Sequence, residues 1–223
     1  VIIIKTYQDL LNVPNNETDR MNFVKTVINE HKSSALYKQA VLADEYDRKQ
    51  NRTIIQYQKL LYTVTGKAIP DNWSANYKLT SGFFNRFTTQ QVQFLLGNGI
   101  TWVKEETKDK LGKDFEKELQ IAAKAALCAG VSFGFFNADH MEVFDAMEFA
   151  PLYDEDNGAL RAGVRWWQVD ANKPLRATLY EENGYTEYEW IHGKAEVLQD
   201  KRAYILKIRS TEAEGTEIYD GDN

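Results

Sequence analysis

The fold class is decided where one periodicity gives way to another, in the stretch DFEKELQIAAKAALCAGVSFGFF at residues 114–136. Its first part, up to Ala129, is rich in alanine and repeats apolar residues at helical spacing, which predicts an amphipathic helix. Gly130 is expected to end that helix. From Val131 onward apolar residues recur at every second position, which predicts β-strands. The chain therefore changes from helix to strand near residue 130.

The part of the chain before Gly130 is predicted to be mainly helical. Thr18 or Asp19 is the candidate N-cap of a helix that continues through residue 28. Further helices are predicted over 35–48 and 79–96, the last one stopped by Gly97 and its Asn-Gly successor. Three other segments are short or ambiguous: 1–4 and 100–103 predict short strands, whereas 53–65 does not distinguish a helix from a strand.

After Gly130 the pattern predicts an antiparallel β-meander, because short alternating segments follow one another with turn signals between them. Helices first and strands later indicate an α+β fold rather than a doubly wound one. The tail from Ser210 is acidic and poor in apolar residues, so we expect it to be poorly ordered. The predicted strands are 131–136, 142–149, 162–169, 175–180, 185–191 and 203–208. The predicted organisation is a mainly helical part at 1–130, a β part at 131–209 and the tail at 210–223.

Charge is unevenly distributed along the chain, whose formal net charge is −6. Residues 1–129 hold 18 Lys and Arg against 14 Asp and Glu, whereas residues 130–223 hold 9 against 19. The second half is therefore strongly acidic, which argues against a broad surface that grips nucleic acid there. No apolar run of about 18 residues is present, so no transmembrane helix is expected.

Candidate catalytic and metal-binding residues are few. Asp139, His140 and Glu142 form the most site-like cluster, because His140 and Glu142 share a face of an extended chain, but a metal site would need further ligands. The acids at 154–156 lack the spacing of a calcium loop and are expected to form a solvated hairpin. Cys128, the single cysteine, is expected to be a buried structural thiol. We therefore expect no nucleotide-driven chemistry and no cofactor, since phosphate-binding loop patterns also fail.

Aromatic side chains are the remaining signal, and either core packing or a subunit interface would explain them. Adjacent indoles at Trp166 and Trp167 fall on opposite faces of a strand, so one is expected in the core while the other meets a neighbour. Acids alternating along the strand 185–191 are expected to form its solvated face. The candidate interface residues are Phe83, Phe84, Phe87, Trp166, Trp167, Glu187 and Glu189.

Several short motifs occur in an order that points to one family. The segment from Tyr37 to Tyr46, followed by Asn51-Arg-Thr-Ile54, is the first of them. Asn76 and Leu79 precede Phe83 and Phe84, and Leu95-Leu96-Gly97 comes before Ile100. After the glycine at 130 come Pro151-Leu-Tyr-Asp154 and Ala162-Gly-Val-Arg165. In this order the motifs resemble the large siphophage family of tailed-bacteriophage portal proteins, over roughly residues 35–190.

This resemblance implies a structural protein rather than an enzyme. Portal proteins form a ring, commonly a dodecamer, at one capsid vertex, and double-stranded DNA passes through it without sequence specificity during packaging and ejection. Implied partners are further copies of the chain, the terminase large subunit, the head–tail adaptor, scaffold and capsid proteins, with no membrane. The implied location is the virion, after assembly in the host bacterial cytoplasm.

The chain departs from the family pattern by stopping at Asn223, before the stem, clip and crown of a full portal protein. It also begins without Met, so we expect an amino-terminal fragment that corresponds to the wing region. Two other functions stay open on the residues alone. One is an adaptor or binding module that presents the β-meander, and the other is a metal-assisted hydrolase that uses Asp139, His140 and Glu142.

Overall fold

The structure is a computed structural model that describes residues 5–104, 111–137, 140–191, 194–204, 206–210 and 217–221, the last two ranges as backbone. The described helices are α1 (Tyr7–Leu11), α2 (Glu17–Ser33), α3 (Ala35–Asp47), α4 (Arg52–Gln56), α5 (Phe83–Leu96) and α6 (Phe115–Ala129). The first strands are β1 (Leu60–Tyr62), β2 (Ala68–Pro70), β3 (Ser132–Asn137) and β4 (His140–Asp145). The later ones are β5 (Phe149–Tyr153), β6 (Leu160–Trp167), β7 (Leu175–Glu181), β8 (Gly184–Ile191), β9 (Lys194–Arg202), β10 (Leu206–Ser210) and β11 (Glu217–Gly221).

The predicted α+β class is confirmed, because helices precede antiparallel sheets along the chain. The chain divides into two compact units, which differ from the predicted division at residue 130. The first unit, here the sheet unit, combines residues 1–38 with 146–223. The second unit, here the helical unit, contains residues 39–145. The secondary structure changes from mainly helix to mainly strand at residue 130. The boundaries of the compact units lie elsewhere, because they depend on which segments pack together.

The sheet unit is built on a five-stranded antiparallel meander in the order β5-β6-β7-β8-β9. Helix α2 packs against β5, β6 and β9, and its apolar side shares one buried cluster with the side chains of one sheet face. Pro151 is tolerated in β5 because that strand is at the edge of the sheet. The core contains Val24, Val27 and Ile28 of α2 together with Leu152, Val164, Trp166, Leu179 and Tyr188 of the sheet.

Polar contacts fix where the two helices of the sheet unit begin. In α1, Thr6 and Asp9 form a reciprocal capping box. In α2 the N-cap is Asn16, whose Oδ1 accepts the backbone N–H of Asp19 at 2.8 Å, so the expected caps Thr18 and Asp19 were wrong by two or three residues. Asp19 instead lies in the first turn, where its carboxylate accepts the Asn16 side-chain amide at 2.6 Å.

In the helical unit, α5 and α6 pack on each other, and α6 also contacts the β3–β4 hairpin. One carboxylate joins three helices there. Asp47, at the end of α3, accepts the side-chain amide of Asn85 on α5 at 2.8 Å and pairs with Lys124 on α6 at 3.2 Å. Gly130 ends α6 as predicted, and it does so in the left-handed conformation at a φ of 88°.

Several predicted boundaries were wrong. Helix α5 begins at Phe83 rather than Leu79 and follows Gly82, which is not helical. Residues 100–103 form no strand. The predicted strand 142–149 is two strands, since residues 146–148 turn the chain between β4 and β5. The ambiguous segment 53–65 contains both the helix α4 and the strand β1.

The end of the sheet unit also differs from the prediction. The chain forms strand β9 at 194–202 where none was expected, and the predicted strand 203–208 corresponds in part to β10. Within the expected tail, β11 pairs with β10, while residues 211–216 and 222–223 lie outside the described residues. The predicted strand at 1–4 also lies outside them.

Candidate interaction surfaces

The most exposed aromatic surface among the candidate residues lies on α5. Phe83 and Phe87 are 61% and 58% exposed, and their rings stack with centroids 6.2 Å apart. Two turns further along, Phe94 is 88% exposed, whereas Phe84 is half-buried. The opposite side of the helix buries Val92 and packs on α6. This face, Phe83, Phe87 and Phe94, is here called the α5 aromatic face.

The two adjacent indoles lie on opposite faces of β6, as predicted. Trp166 is 5% exposed and belongs to the core beneath α2, so its side chain is not accessible to a neighbouring subunit. Trp167 is half-buried on the other face of the sheet, with the Arg165 guanidinium 5.4 Å from its ring.

The two acids of β8 differ in their surroundings: Glu189 is buried in an ion pair, and Glu187 is half-buried. Glu189 is buried, and its Oε2 accepts the Arg176 Nε–H across the strand pair at 3.2 Å. Glu187 lies on the same face one row along, opposite Thr178, and is half-buried. The predicted solvated face of the strand is therefore largely a layer of paired and shielded groups.

Beside β8, the carboxylate of Glu181 holds α2 to the sheet. Its Oε1 lies 2.7 Å from Nη2 of Arg20, and its Oε2 lies 3.2 Å from the Lys201 ammonium. Burial disfavours the charged Arg20, but the bond and the charge of Glu181 outweigh it and raise the pKa of Arg20. Burial also raises the pKa of the Tyr188 phenol nearby. The cluster is a structural ion pair within the sheet unit.

The histidine with the most shielded environment is His31 on α2, to which the sequence assigned no partner. Its ring is 3% exposed, and Nε2 donates to the Ala146 carbonyl at 2.7 Å. Trp166 and Tyr37 meet the ring edge-on at centroid distances of 5.5 and 6.0 Å. Burial lowers the pKa of His31, and the bond to Ala146 opposes the shift only in part. His31 is therefore a neutral core group.

Of the candidate metal cluster, Asp139 lies outside the described residues, so only its two neighbours can be placed. His140 Nε2 lies 3.9 Å from Glu142 Oε1 at the start of β4, and both side chains are partly exposed. Within the part of the chain that the structure describes, no group of three or more His, Cys, Asp or Glu residues is arranged to hold a metal ion.

The acidic turn at 154–156 serves the fold of the sheet unit. Asp154 accepts the backbone N–H of Asp156 and the side-chain amide of Gln8, both at 2.9 Å, and these bonds lower its pKa. Glu155 accepts the Thr6 hydroxyl at 2.6 Å. The turn thus ties α1 to the β5–β6 hairpin.

Cys128 on α6 is half-buried rather than buried as expected. Burial raises the pKa of its thiol, and the nearby charge of Asp47 adds to the shift. A thiol with a raised pKa is a poor nucleophile at neutral pH.

A surface that the sequence did not single out lies between α4 and α5. Trp73 and Tyr77 are 80% and 87% exposed, in a segment whose apolar residues follow neither helical nor strand periodicity. The absence of periodicity could have indicated an exposed apolar surface in the sequence, since apolar residues without a period have no single face to bury.

Searches against protein-family models and against curated proteins found no match to this chain. Among the described helices, none is both long and apolar enough to cross a bilayer.

Proposed function

We propose that this chain is the wing-region part of a phage portal protein and contributes to a ring through which double-stranded viral DNA is packaged and ejected. The proposal is carried by the ordered series of motifs between residues 37 and 165. Two of these motifs bracket a single helix, since Phe83-Phe84 opens α5 and Leu95-Leu96-Gly97 closes it. The motif spacing is therefore the spacing of one structural element.

The surface chemistry supports self-assembly. A monomer rarely leaves a contiguous group of large aromatic side chains in water, and the α5 aromatic face is one. A ring requires a heterologous interface, in which one patch meets a different patch of the next copy and the rotation closes. The basic first half and the acidic second half of the chain provide complementary charges for such a contact.

Under this proposal the partners are those of a portal vertex: the terminase large subunit, the head–tail adaptor, scaffold and capsid proteins. Passing DNA meets the ring without base recognition. The acidic sheet unit would repel phosphates wherever it lines the passage, which keeps the DNA from adhering.

Negative-stain electron microscopy of the gene product, carried to its natural carboxyl terminus, tests the proposal. Rings with a central hole are the expected result. Uniform small particles at high protein concentration would overturn it. A stable monomer that captures a single protein partner would instead favour the binding-module alternative.

A further inference from the structure

One stretch of the helical unit contributes nothing to a core, although it is rich in apolar residues. In residues 52–80, here called the arm, no side chain is buried, and nine large apolar side chains are exposed. All of these residues lie in the described part of the chain. The most open of them are Tyr57, Tyr62, Val64, Trp73, Tyr77 and Leu79.

The arm holds its shape through polar bonds rather than through apolar contacts. The Lys59 ammonium donates to the Ala75 carbonyl at 2.7 Å, and Lys78 donates to the Ile55 carbonyl. The Asp71 carboxylate accepts the backbone N–H groups of the two residues at 73 and 74 at 3.0 and 2.9 Å. These bonds fold the segment back on itself and leave its apolar side chains pointing to solvent. A preorganised surface of this kind loses little entropy on binding.

The arm also contains a sheet that is incomplete by itself. Strands β1 and β2 pair only with each other among the described strands, joined by a turn that includes Gly66 at a φ of 78°. An isolated two-stranded hairpin is marginally stable in water, and packing against another surface stabilises it. Packing against another surface would therefore stabilise the arm further.

The exposed groups suit a protein better than a nucleic acid. Four of the neighbouring cations are already bound within the chain: Arg48 to Asp44, Arg52 to Glu45, and the two lysines to carbonyls. Of the nine exposed apolar side chains, five are aliphatic and offer no ring on which a base could stack, and the other four are the aromatic rings of Tyr57, Tyr62, Trp73 and Tyr77.

Charge identifies the partner surface. The arm, residues 52–80, holds four Lys and Arg against one Asp, a net charge of +3. Residues 146–191 of the sheet unit hold nine Asp and Glu against four Lys and Arg, a net charge of −5. Opposite charges on two patches of one chain favour a head-to-tail contact between copies.

We propose that the arm docks on the acidic sheet unit of a second copy of this chain. The inference deepens the proposed ring and rests on it, because it names the segment that each copy presents to its neighbour. It differs from the sequence-based interface, which centred on α5 and on β6 and β8.

Sedimentation velocity of the chain over a range of concentrations provides the first test. The wild-type chain is expected to self-associate at low salt. The arm variant Tyr62→Ser/Trp73→Ser/Tyr77→Ser is expected to associate at least about ten-fold more weakly, since it removes three of the most exposed rings. Leu11→Ser, which removes an exposed apolar side chain outside the arm, is the control and should associate like the wild type. A monomeric wild-type chain, or an arm variant that associates normally, would overturn the inference.

Folding does not confound this comparison, because none of the three substituted residues is buried. Thermal unfolding monitored by circular dichroism should give the same midpoint for the wild type and the arm variant.

Mixing two defective chains tests the head-to-tail geometry. Glu182→Lys/Glu187→Lys reverses two acids of the sheet unit, here called the acidic patch, and keeps the arm, while the arm variant keeps the acidic patch. Each alone should be monomeric, and an equimolar mixture should form a one-to-one pair, because one chain supplies the arm and the other supplies the patch. A mixture that stays monomeric, or an acid-reversed chain that self-associates alone, would overturn the inference.

Three further outcomes distinguish this inference from the alternatives. Arm-dependent binding of a fluorescent DNA oligonucleotide by the wild-type monomer would replace the protein partner with nucleic acid and overturn it. Rings formed equally well by the full gene product with and without the arm substitutions would also overturn it while leaving the portal proposal standing. Arm-dependent dimers without rings from the full gene product would leave it standing and refute the portal.

Discussion

At the scale of single residues, His31 shows how the sheet unit is sensitive to acid. The ring is enclosed by Trp166 and Tyr37 and bonded to a carbonyl, so a proton on its second nitrogen would create a buried charge. In the unfolded chain the same ring takes up a proton near its ordinary pKa of about 6.5.

We predict that the free energy of unfolding falls as the pH is lowered below about 6.5, because the unfolded chain then binds a proton that the folded chain does not. Because the pKa of His31 is lowered in the folded chain, the stabilisation is fully present at pH values above the ordinary pKa of histidine. It is lost as the pH falls below that value. His31→Gln keeps an N–H donor for the Ala146 carbonyl and does not titrate. Urea unfolding at pH 7.5, 6.5 and 5.5 should show a smaller loss in the variant, and parallel losses in both proteins would contradict the prediction.

A glycine in β6 is required for a close approach. A Cβ at position 163 would lie 2.1 Å from the Cζ atom of Phe149, whose ring covers the glycine. Gly163→Ala should therefore lower the free energy of unfolding by about 1–3 kcal/mol, as overpacking does.

Gly134→Ala is the matched control for this substitution. There a new Cβ meets the flexible Met141 side chain at 3.0 Å, which can move aside. Its cost should stay below about 1 kcal/mol, since thioethers adapt to small changes in volume. Equal costs for the two substitutions in denaturant titrations would show that the Phe149 contact is not limiting.

At the scale of elements, three helices meet at Asp47 in the helical unit. Asp47→Ala removes the bonds to Asn85 and Lys124, and it should lower the free energy of unfolding by about 1–2 kcal/mol. Asp44→Ala removes an i,i+4 pair with the exposed Arg48, which lies just past the end of α3, and should cost no more than about 0.5 kcal/mol. Chemical unfolding followed by circular dichroism measures both, and a larger effect at Asp44 would contradict the assigned role of Asp47.

Elements with a strong period were predictable, and so was the helix end that Gly130 marks, whereas the cap of α2 was not. The helix at 35–48 and the one ending at Gly130 are examples, since alanine content and a left-handed glycine act locally. Residues 100–103 look like a strand but find no partner strand, and β-structure requires one. The arm was unpredictable for a related reason, because its apolar residues are arranged by lysine-to-carbonyl bonds across many positions.

At the scale of the whole molecule, charge should govern association. Glu181 and Glu189 are committed to pairs inside the sheet unit, so reversing them would test folding rather than assembly. We expect Glu182→Lys/Glu187→Lys to weaken ring assembly at low salt, with a smaller difference at high salt where screening is strong.

The matched control is Glu17→Lys/Asp114→Lys, which changes the net charge equally at exposed positions outside the sheet. Particle counts of rings by electron microscopy, or sedimentation of the assembled fraction, measure the difference. If Glu182→Lys/Glu187→Lys assembled as well as the wild type at low salt, charge complementarity would not contribute to ring formation.

The sequence by itself determined the order of helix and strand, the change of period near residue 130 and the antiparallel meander, because these depend on interactions between near neighbours. It also placed one indole of the pair at 166–167 in the core. Only the tertiary structure decided that residues 1–38 pack with 146–223, that His31 is neutral and that Glu189 is paired. Those facts depend on which distant segments exclude water from one another, and a one-dimensional pattern does not contain that information.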